Sequence, residues 1–271
     1  MDAASKYPFN SYDSLDAFKF ISEFEKSNQE ESSMNQVHIV MNGKGGIGKS
    51  IVAYNLSQYL KSLDPDTICI DTDPLTPTLS KYKALSVKHI QIANAAEVFL
   101  NRFDDMIEEM VSTPHDVIID TGASTFLPIA KYIESNKIFS FLKDEYAKTI
   151  FVHVVLNAQT QNDYLSTTAS LERIAQSFGS EANIIVWLNE FGGSLDMFLD
   201  SKFYSENKET LHGILKMKNP DELLLHDFKA MLQNFQTYDE AAVDKSLFVI
   251  ARSRLSRLKN DIYQQLNQVI V

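Results

Sequence analysis

The octapeptide Gly43-Lys44-Gly45-Gly46-Ile47-Gly48-Lys49-Ser50 constrains this chain more than any other stretch, because it satisfies the pattern Gly-x4-Gly-Lys-Ser in full. Before it, Val37 to Met41 is short, β-branched and apolar; after it, Val52, Leu56, Tyr59, Leu60 and Leu63 recur at helical spacing. A strand is therefore predicted to enter the loop and a helix to leave it. Glycines at 43, 45, 46 and 48 permit positive φ and a close approach of backbone N–H groups to an anion, and the helix N-terminus adds partial positive charge. In such a loop Lys49 reaches the β- and γ-phosphates of a nucleotide and the Ser50 hydroxyl ligates Mg²⁺. A ligand-free glycine turn is the alternative, but a bare turn has no use for a terminal Lys-Ser.

Two further stretches supply acids. Thr67 to Pro74 is an apolar strand ending in Asp71-Thr72-Asp73-Pro74, and Asp116 to Ala123 is a second one ending in Asp120-Thr121-Gly122. Carboxylates at the C-terminal tips of parallel strands lie where open α/β folds bind ligands. Placed beside a phosphate loop they would repel a nucleotide unless a cation intervened, so Mg²⁺ is implied, with Asp120 as the Walker B candidate. Each aspartate also has a capping or turn reading. Further strands are predicted at Val87 to Ile92, Thr149 to Leu156, Asn183 to Asn189 and Ser246 to Ile250. Helices are predicted from Ala96 through Met110, over residues 160–178, and from Leu255 to Val269. This alternation predicts an α/β, doubly wound, mostly parallel P-loop domain with helices on both faces.

Lys44, directly after the first glycine, makes the loop resemble the deviant Walker A motif of the ParA/MinD family of dimeric ATPases. Asn55, six residues after Lys49, fits the same pattern. The resemblance implies that Lys44 reaches across a nucleotide sandwich dimer to the partner's phosphates. It implies that Asp73 orients the attacking water, that Asp71 lies near the magnesium shell, and that Asn189 reads the adenine edge, a turn role for Asn189 being nearly as good. The candidate nucleotide contacts are thus Gly43, Lys44, Gly45, Gly46, Ile47, Gly48, Lys49, Ser50, Ile51 and Asn189. The candidate catalytic residues are Lys44, Lys49 and Asp73, and the metal candidates are Ser50, Asp71 and Asp120. Ile51 departs from the family, which often has a second hydroxyl there for the α-phosphate. The segment Lys216 to Pro220 is a weaker candidate for the adenine pocket. The runs Cys69 to Ile92 and Asp116 to Pro128 more particularly resemble the TraL family of conjugative plasmid transfer.

Composition sets the remaining limits. A chain of 271 residues with 44% hydrophobic residues fits one large α/β domain, here residues 37–271, preceded by a segment 1–36. In that segment Leu15, Phe18, Ile21 and Phe24 mark an amphipathic helix before a polar linker; docking on a partner and packing on its own domain are equally good readings. A net charge of −11 argues against nucleic acid as a main ligand. The single Cys69 fits a reducing cytoplasm and counts against the two-cysteine nitrogenase iron-protein branch. No secretory signal or bilayer-spanning run is visible, so a cytoplasmic location is expected. The basic, amphipathic C-terminal helix leaves peripheral contact with the inner membrane open, packing on the sheet being the better reading. Within these limits, the resemblance implies an ATP- and Mg²⁺-dependent homodimeric switch of low turnover, working with other transfer proteins. A non-hydrolysing interaction module is the alternative, and a dethiobiotin-synthetase-type kinase or ligase a more distant one.

Overall fold

The computed structural model describes residues 35–94 and 97–270. The chain divides into two units, Met1–Met34 and Asn35–Val271. The expected N-terminal helix lies outside the described residues, as does Ala96.

Seven strands, β1 (Gln36–Met41), β2 (Ile68–Asp71), β3 (Lys88–His89), β4 (Val117–Asp120), β5 (Thr149–Asn157), β6 (Asn183–Asn189) and β7 (Leu211–Met217), form one sheet in the order β3-β2-β4-β1-β5-β6-β7. Every named pairing is parallel. Sequences such as Val37-His38-Ile39-Val40-Met41 are buried on both sides, and apolar apart from His38, because both faces are covered. One core layer joins Val37, Ile39 and Met41 to α2 (Leu100–Ser112), α3 (Phe126–Ser135), α4 (Ile138–Tyr146) and α5 (Gln161–Phe178). Two short helices, α6 (Asp196–Leu199) and α7 (Lys202–Asn207), precede β7, and α6 adds the buried Phe198 to this layer. The other layer joins Val40, Ile118 and Trp187 to α1 (Lys49–Leu63), α8 (Glu222–Gln233), α9 (Tyr238–Val243) and α10 (Val249–Val269).

From β1 the chain winds outward to β2 and β3 on one side, and from β4 it crosses over β1 to β5 on the other. The C-terminal end of β1 is thus the topological switch point, and the glycine loop leaves from it. β7, an edge strand, is blunted by α10. The Gln265 side-chain amide accepts from the Lys216 N–H at 2.8 Å and donates to the Lys216 carbonyl at 3.1 Å.

Three expectations are corrected. The strand expected over Val87 to Ile92 pairs only at Lys88–His89. Lys216 and Met217 belong to β7, which sequence reasoning missed because His212 and Gly213 interrupt its apolar run. The strand expected at Ser246 to Ile250 does not form: Val249 opens α10, and Phe248, Val249 and Ile250 are exposed. The C-terminal helix does pack on the sheet, burying Leu255, Ile262 and Leu266.

Candidate functional site

The loop is held by residues on both sides of the switch point. Asn42, fully buried at the end of β1, donates from its amide to the Val155 carbonyl (3.0 Å) and accepts the Lys44 N–H (2.9 Å). Asn189, at the tip of β6, donates to the Ile47 carbonyl at 2.8 Å and accepts the Phe191 N–H. The loop's far end closes in the first turn of α1, where the Ile51 and Val52 N–H groups donate to the Gly48 carbonyl. Positive φ occurs at Gly46 (74°) and Gly48 (99°) and not at Gly43 or Gly45. Gly43 is required for space instead, since a Cβ there would lie 3.0 Å from the Phe126 ring.

Gly48 carries both demands: a Cβ would stand 2.7 Å from the Asn189 amide nitrogen, on backbone that L-residues rarely adopt. Gly48→Ala is therefore expected to cost about 2–3 kcal/mol in denaturant unfolding. Gly46→Ala meets nothing within 4 Å and should cost only the backbone part, about 1 kcal/mol. Equal losses would mean that Asn189 does not press on the loop.

The loop forms one wall of a cleft of about 410 Å³ lined by Gly45, Gly46, Gly48, Lys49, Ser50, Ile51, Asp73, Leu75, Thr76, Thr78, Ala123 and Ser124. Parallel register sets Val40, Asp120 and Asp71 side by side across β1, β4 and β2. Asp120 is fully buried, and neither carboxylate oxygen has a hydrogen-bond partner. Burial pushes its pKa up to about 7; Asp71 and Asp73 push the same way, while Lys49 and the nearby Ser50 hydroxyl favour the ionised form. Lys49 is nearly buried, and its ammonium donates to the Lys44 carbonyl at 2.8 Å. Burial lowers its pKa, against the attraction of Asp120 and Asp73.

The other candidates are differently placed. Both oxygens of Asp71 are engaged: Oδ1 accepts the Asp73 N–H, and Oδ2 accepts the N–H and hydroxyl of Ser80. Asp73 caps its own turn, accepting from the Leu75 and Thr76 N–H groups. It packs so closely on Gly122 that a Cβ there would lie 3.1 Å from its carboxylate, so Gly122 serves close approach. Lys44 turns away from the cleft and pairs with Asp163 at 3.1 Å, on the first turn of α5. Asn189 lies beneath the loop, outside the cleft lining. The segment 216–220 lines a separate cleft of about 460 Å³ with Arg254, Arg257 and Leu258 of α10. Asn42, Ser170, whose hydroxyl accepts the Gly43 N–H, and Asp163 were missed by sequence reasoning. Only Asn42, a polar residue closing an apolar strand just before the glycines, left a local signal.

A glycine loop at the switch point, a buried lysine behind it and an acid on the neighbouring strand tip define a P-loop nucleotide-binding domain. The chain belongs to the CobQ/CobB/MinD/ParA nucleotide binding domain family, whose model matches residues 38–270. More particularly, it is similar to two Escherichia coli proteins named Protein TraL, each 34% identical over 243 residues that span 88% of this chain and the whole of the relative. Among solved structures, the MinD cell division protein of Aquifex aeolicus overlaps 87% of this chain and 98% of its own at 13% identity, with a TM-score of 0.46.

Proposed function

We propose that the protein binds ATP with Mg²⁺, dimerises over it, hydrolyses it slowly and serves as a nucleotide-driven switch in conjugative plasmid transfer on the cytoplasmic side. The observation that carries this reading is the carboxylate of Asp120, fully buried with no hydrogen bond of good geometry and with only the nearby Ser50 hydroxyl and Lys49 ammonium favouring its charge. A buried anion without a hydrogen bond is costly, and a hydrated divalent cation resolves it. The donor set is all oxygen, which suits Mg²⁺. Ser50 would hold the ion directly and Asp120 through water, with Asp71 behind them in an orienting role. When bound, the ion would neutralise phosphate charge.

The chain's own residues do the rest. Backbone N–H groups of the loop bind the phosphates. Lys49 exchanges the Lys44 carbonyl for phosphate oxygens. Lys44 leaves Asp163 and reaches the partner subunit's nucleotide. Asp73 holds the attacking water once its turn opens, and Asn189 reads the base from the tip of β6. Kinship with TraL supports other transfer proteins as partners.

Calorimetry with ATP and Mg²⁺, together with light scattering, tests this reading. The wild type should bind and double its mass with ATP. Lys49→Ala should weaken binding a hundredfold or more, and Lys44→Ala should bind yet stay monomeric. A monomer under every condition would overturn the dimeric switch.

A second reading, a module that binds nucleotide without hydrolysing it, is favoured by the capping bonds that occupy Asp73 and by Ile51 in place of a hydroxyl. Phosphate release no faster than from Lys49→Ala would select it.

A further inference from the structure

The edge of the sheet opposite the glycine loop holds the one close group of three metal-ligating side chains among the described residues. A ligand atom from each of Asp64, Asp66 and His115 lies within 4.8 Å of the other two. Asp64 follows directly on α1, Asp66 stands two residues before β2, and His115 two residues before β4. Parallel register explains their meeting: Ile68 pairs with Val117, so the positions two residues before each fall side by side.

The backbone around them is held by its own bonds. The Asp64 carbonyl accepts both the N–H and the hydroxyl of Thr67, and Asp64 Oδ1 accepts the Asp66 N–H at 3.0 Å. The Ile68 N–H donates to the Asp116 carbonyl at 2.8 Å, and the His115 N–H to the Thr113 hydroxyl at 3.1 Å. Asp64 Oδ2 meets His115 Nδ1 at 2.8 Å.

The nearby cations leave the group open. The charge of Lys61 is felt at Asp64, yet its ammonium donates to the Pro65 and Thr67 carbonyls at 3.2 and 2.8 Å. Lys148 likewise donates to the Thr113 carbonyl. Among the described residues the Asp66 carboxylate accepts no hydrogen bond and forms no salt bridge. An ion pair between Asp64 and a charged His115 would account for two of the three groups. It leaves unexplained the third, a carboxylate brought to the same spot with no partner.

We propose that Asp64, Asp66 and His115 bind one Zn²⁺ ion, which ties the turn after α1 to the start of β4. Mg²⁺ and Ca²⁺ take oxygen ligands, whereas an imidazole nitrogen joined to two carboxylates suits a first-row transition dication, and Zn²⁺ accepts all three donors. Around a tetrahedral Zn²⁺ with bonds of about 2.1 Å, neighbouring donors stand about 3.4 Å apart. The Asp64–His115 contact thus has to open by about 0.6 Å. The ion takes the place of the proton between them, and the neutral ring keeps its one proton on Nε2. Water completes the fourth position. Asp66 and His115 each precede a strand-tip acid, Asp71 and Asp120, by five residues, about 16 Å at extended rise. The site is therefore separate from the cleft and does not depend on what the glycine loop binds.

Calorimetry of the untagged, EDTA-stripped full chain with ZnCl₂ tests this. One equivalent should bind in the micromolar range and resist a thousandfold molar excess of Mg²⁺. His115→Ala and Asp66→Asn should each weaken uptake at least tenfold. Zn²⁺ should raise the thermal midpoint of the wild type and leave that of His115→Ala in place. Asp66 is exposed and unpartnered, so Asp66→Asn should unfold in EDTA as the wild type does, which separates loss of a ligand from loss of the fold. In NMR spectra Zn²⁺ should shift the ring resonances of His115 and not those of His89 or His226. Three results would overturn the proposal: no uptake of Zn²⁺ by the wild type, uptake that neither variant weakens, or an ion lost to Mg²⁺ or in Asp120→Asn. The last would place it at the strand tips instead.

Discussion

Asp120→Asn is expected to make the nucleotide-free protein more stable at pH 8, while removing the Mg²⁺ dependence of nucleotide binding. The native carboxylate is fully buried without a hydrogen bond, and its pKa is raised from 3.8 to about 7. Because the folded-state value lies above the unfolded one, the folded form holds a proton that the unfolded chain has released. Stability therefore falls as pH rises from about 4 to about 7 and stays lowered above that. Three pKa units correspond to about 4 kcal/mol at most. Lys49, also largely buried, would lose an attractive neighbour in the variant, so a net gain of about 2 kcal/mol is the expected outcome. Urea denaturation at pH 8 and pH 5 measures it: the gain should be clear at the first and nearly gone at the second. Lower stability of the variant at pH 8 would mean that the carboxylate is already satisfied by a protein group. With Mg²⁺ and ATP present the order should reverse, since the wild type gains from binding. On the proposed function, the acid would trade stability of the empty state for nucleotide binding.

This trade explains what a sequence can and cannot disclose. The loop, the strand before it, the helix after it and the acids at 71, 73 and 120 are readable because each depends on residues within a few positions of one another. The sheet's parallel, doubly wound character follows from alternation of buried strands with helices. What could not be read is long-range. Nothing near Lys44 announces Asp163, which stands more than a hundred residues away. Nothing near Asp71 announces that Ser80 N–H and hydroxyl groups take one of its oxygens. The run Leu247 to Ile250 has the composition of a strand, and only tertiary context shows that the edge at β7 is already taken by Gln265. Glycine roles divide in the same way: conformational freedom at 46 and 48 is local, whereas the space needed at Gly43 and Gly122 is defined by Phe126 and Asp73.

Acid should unfold this protein through a pair of histidines that take no part in the site. His38 on β1 and His153 on β5 are fully buried on the face covered by α1 and α10, with His38 stacked on Phe151. The Trp187 indole N–H donates to His153 Nδ1 at 2.9 Å, which leaves the His153 proton on Nε2. That proton points at His38 Nδ1, 3.0 Å away, so His38 in turn carries its proton on Nε2 and donates to the Gln36 side-chain oxygen. Every hydrogen bond in the chain is directed, and none leaves room for another proton. Burial accordingly pulls His38 down to about 3 and His153 well below 6.5. Folded values below unfolded ones mean that the stability is fully present above about pH 6.5 and is lost as pH falls toward 3. At pH 4.5 His38 alone would cost about 3 kcal/mol, and His153 adds to it in the same direction, a large share of the 5–15 kcal/mol typical of a domain. Set against the Asp120 term, which falls in the opposite direction, this places maximal stability of the empty protein near pH 6–7. His38→Gln supplies an acceptor and a donor in the same order but cannot be protonated. Its unfolding near pH 5 should take up about one proton fewer than that of the wild type, read from the pH dependence of the denaturation midpoint. The wild-type imidazole resonances of both residues should not titrate between pH 8 and 5. Titration of either near pH 6 would show that the pair is open to solvent and that the directed chain does not hold in solution.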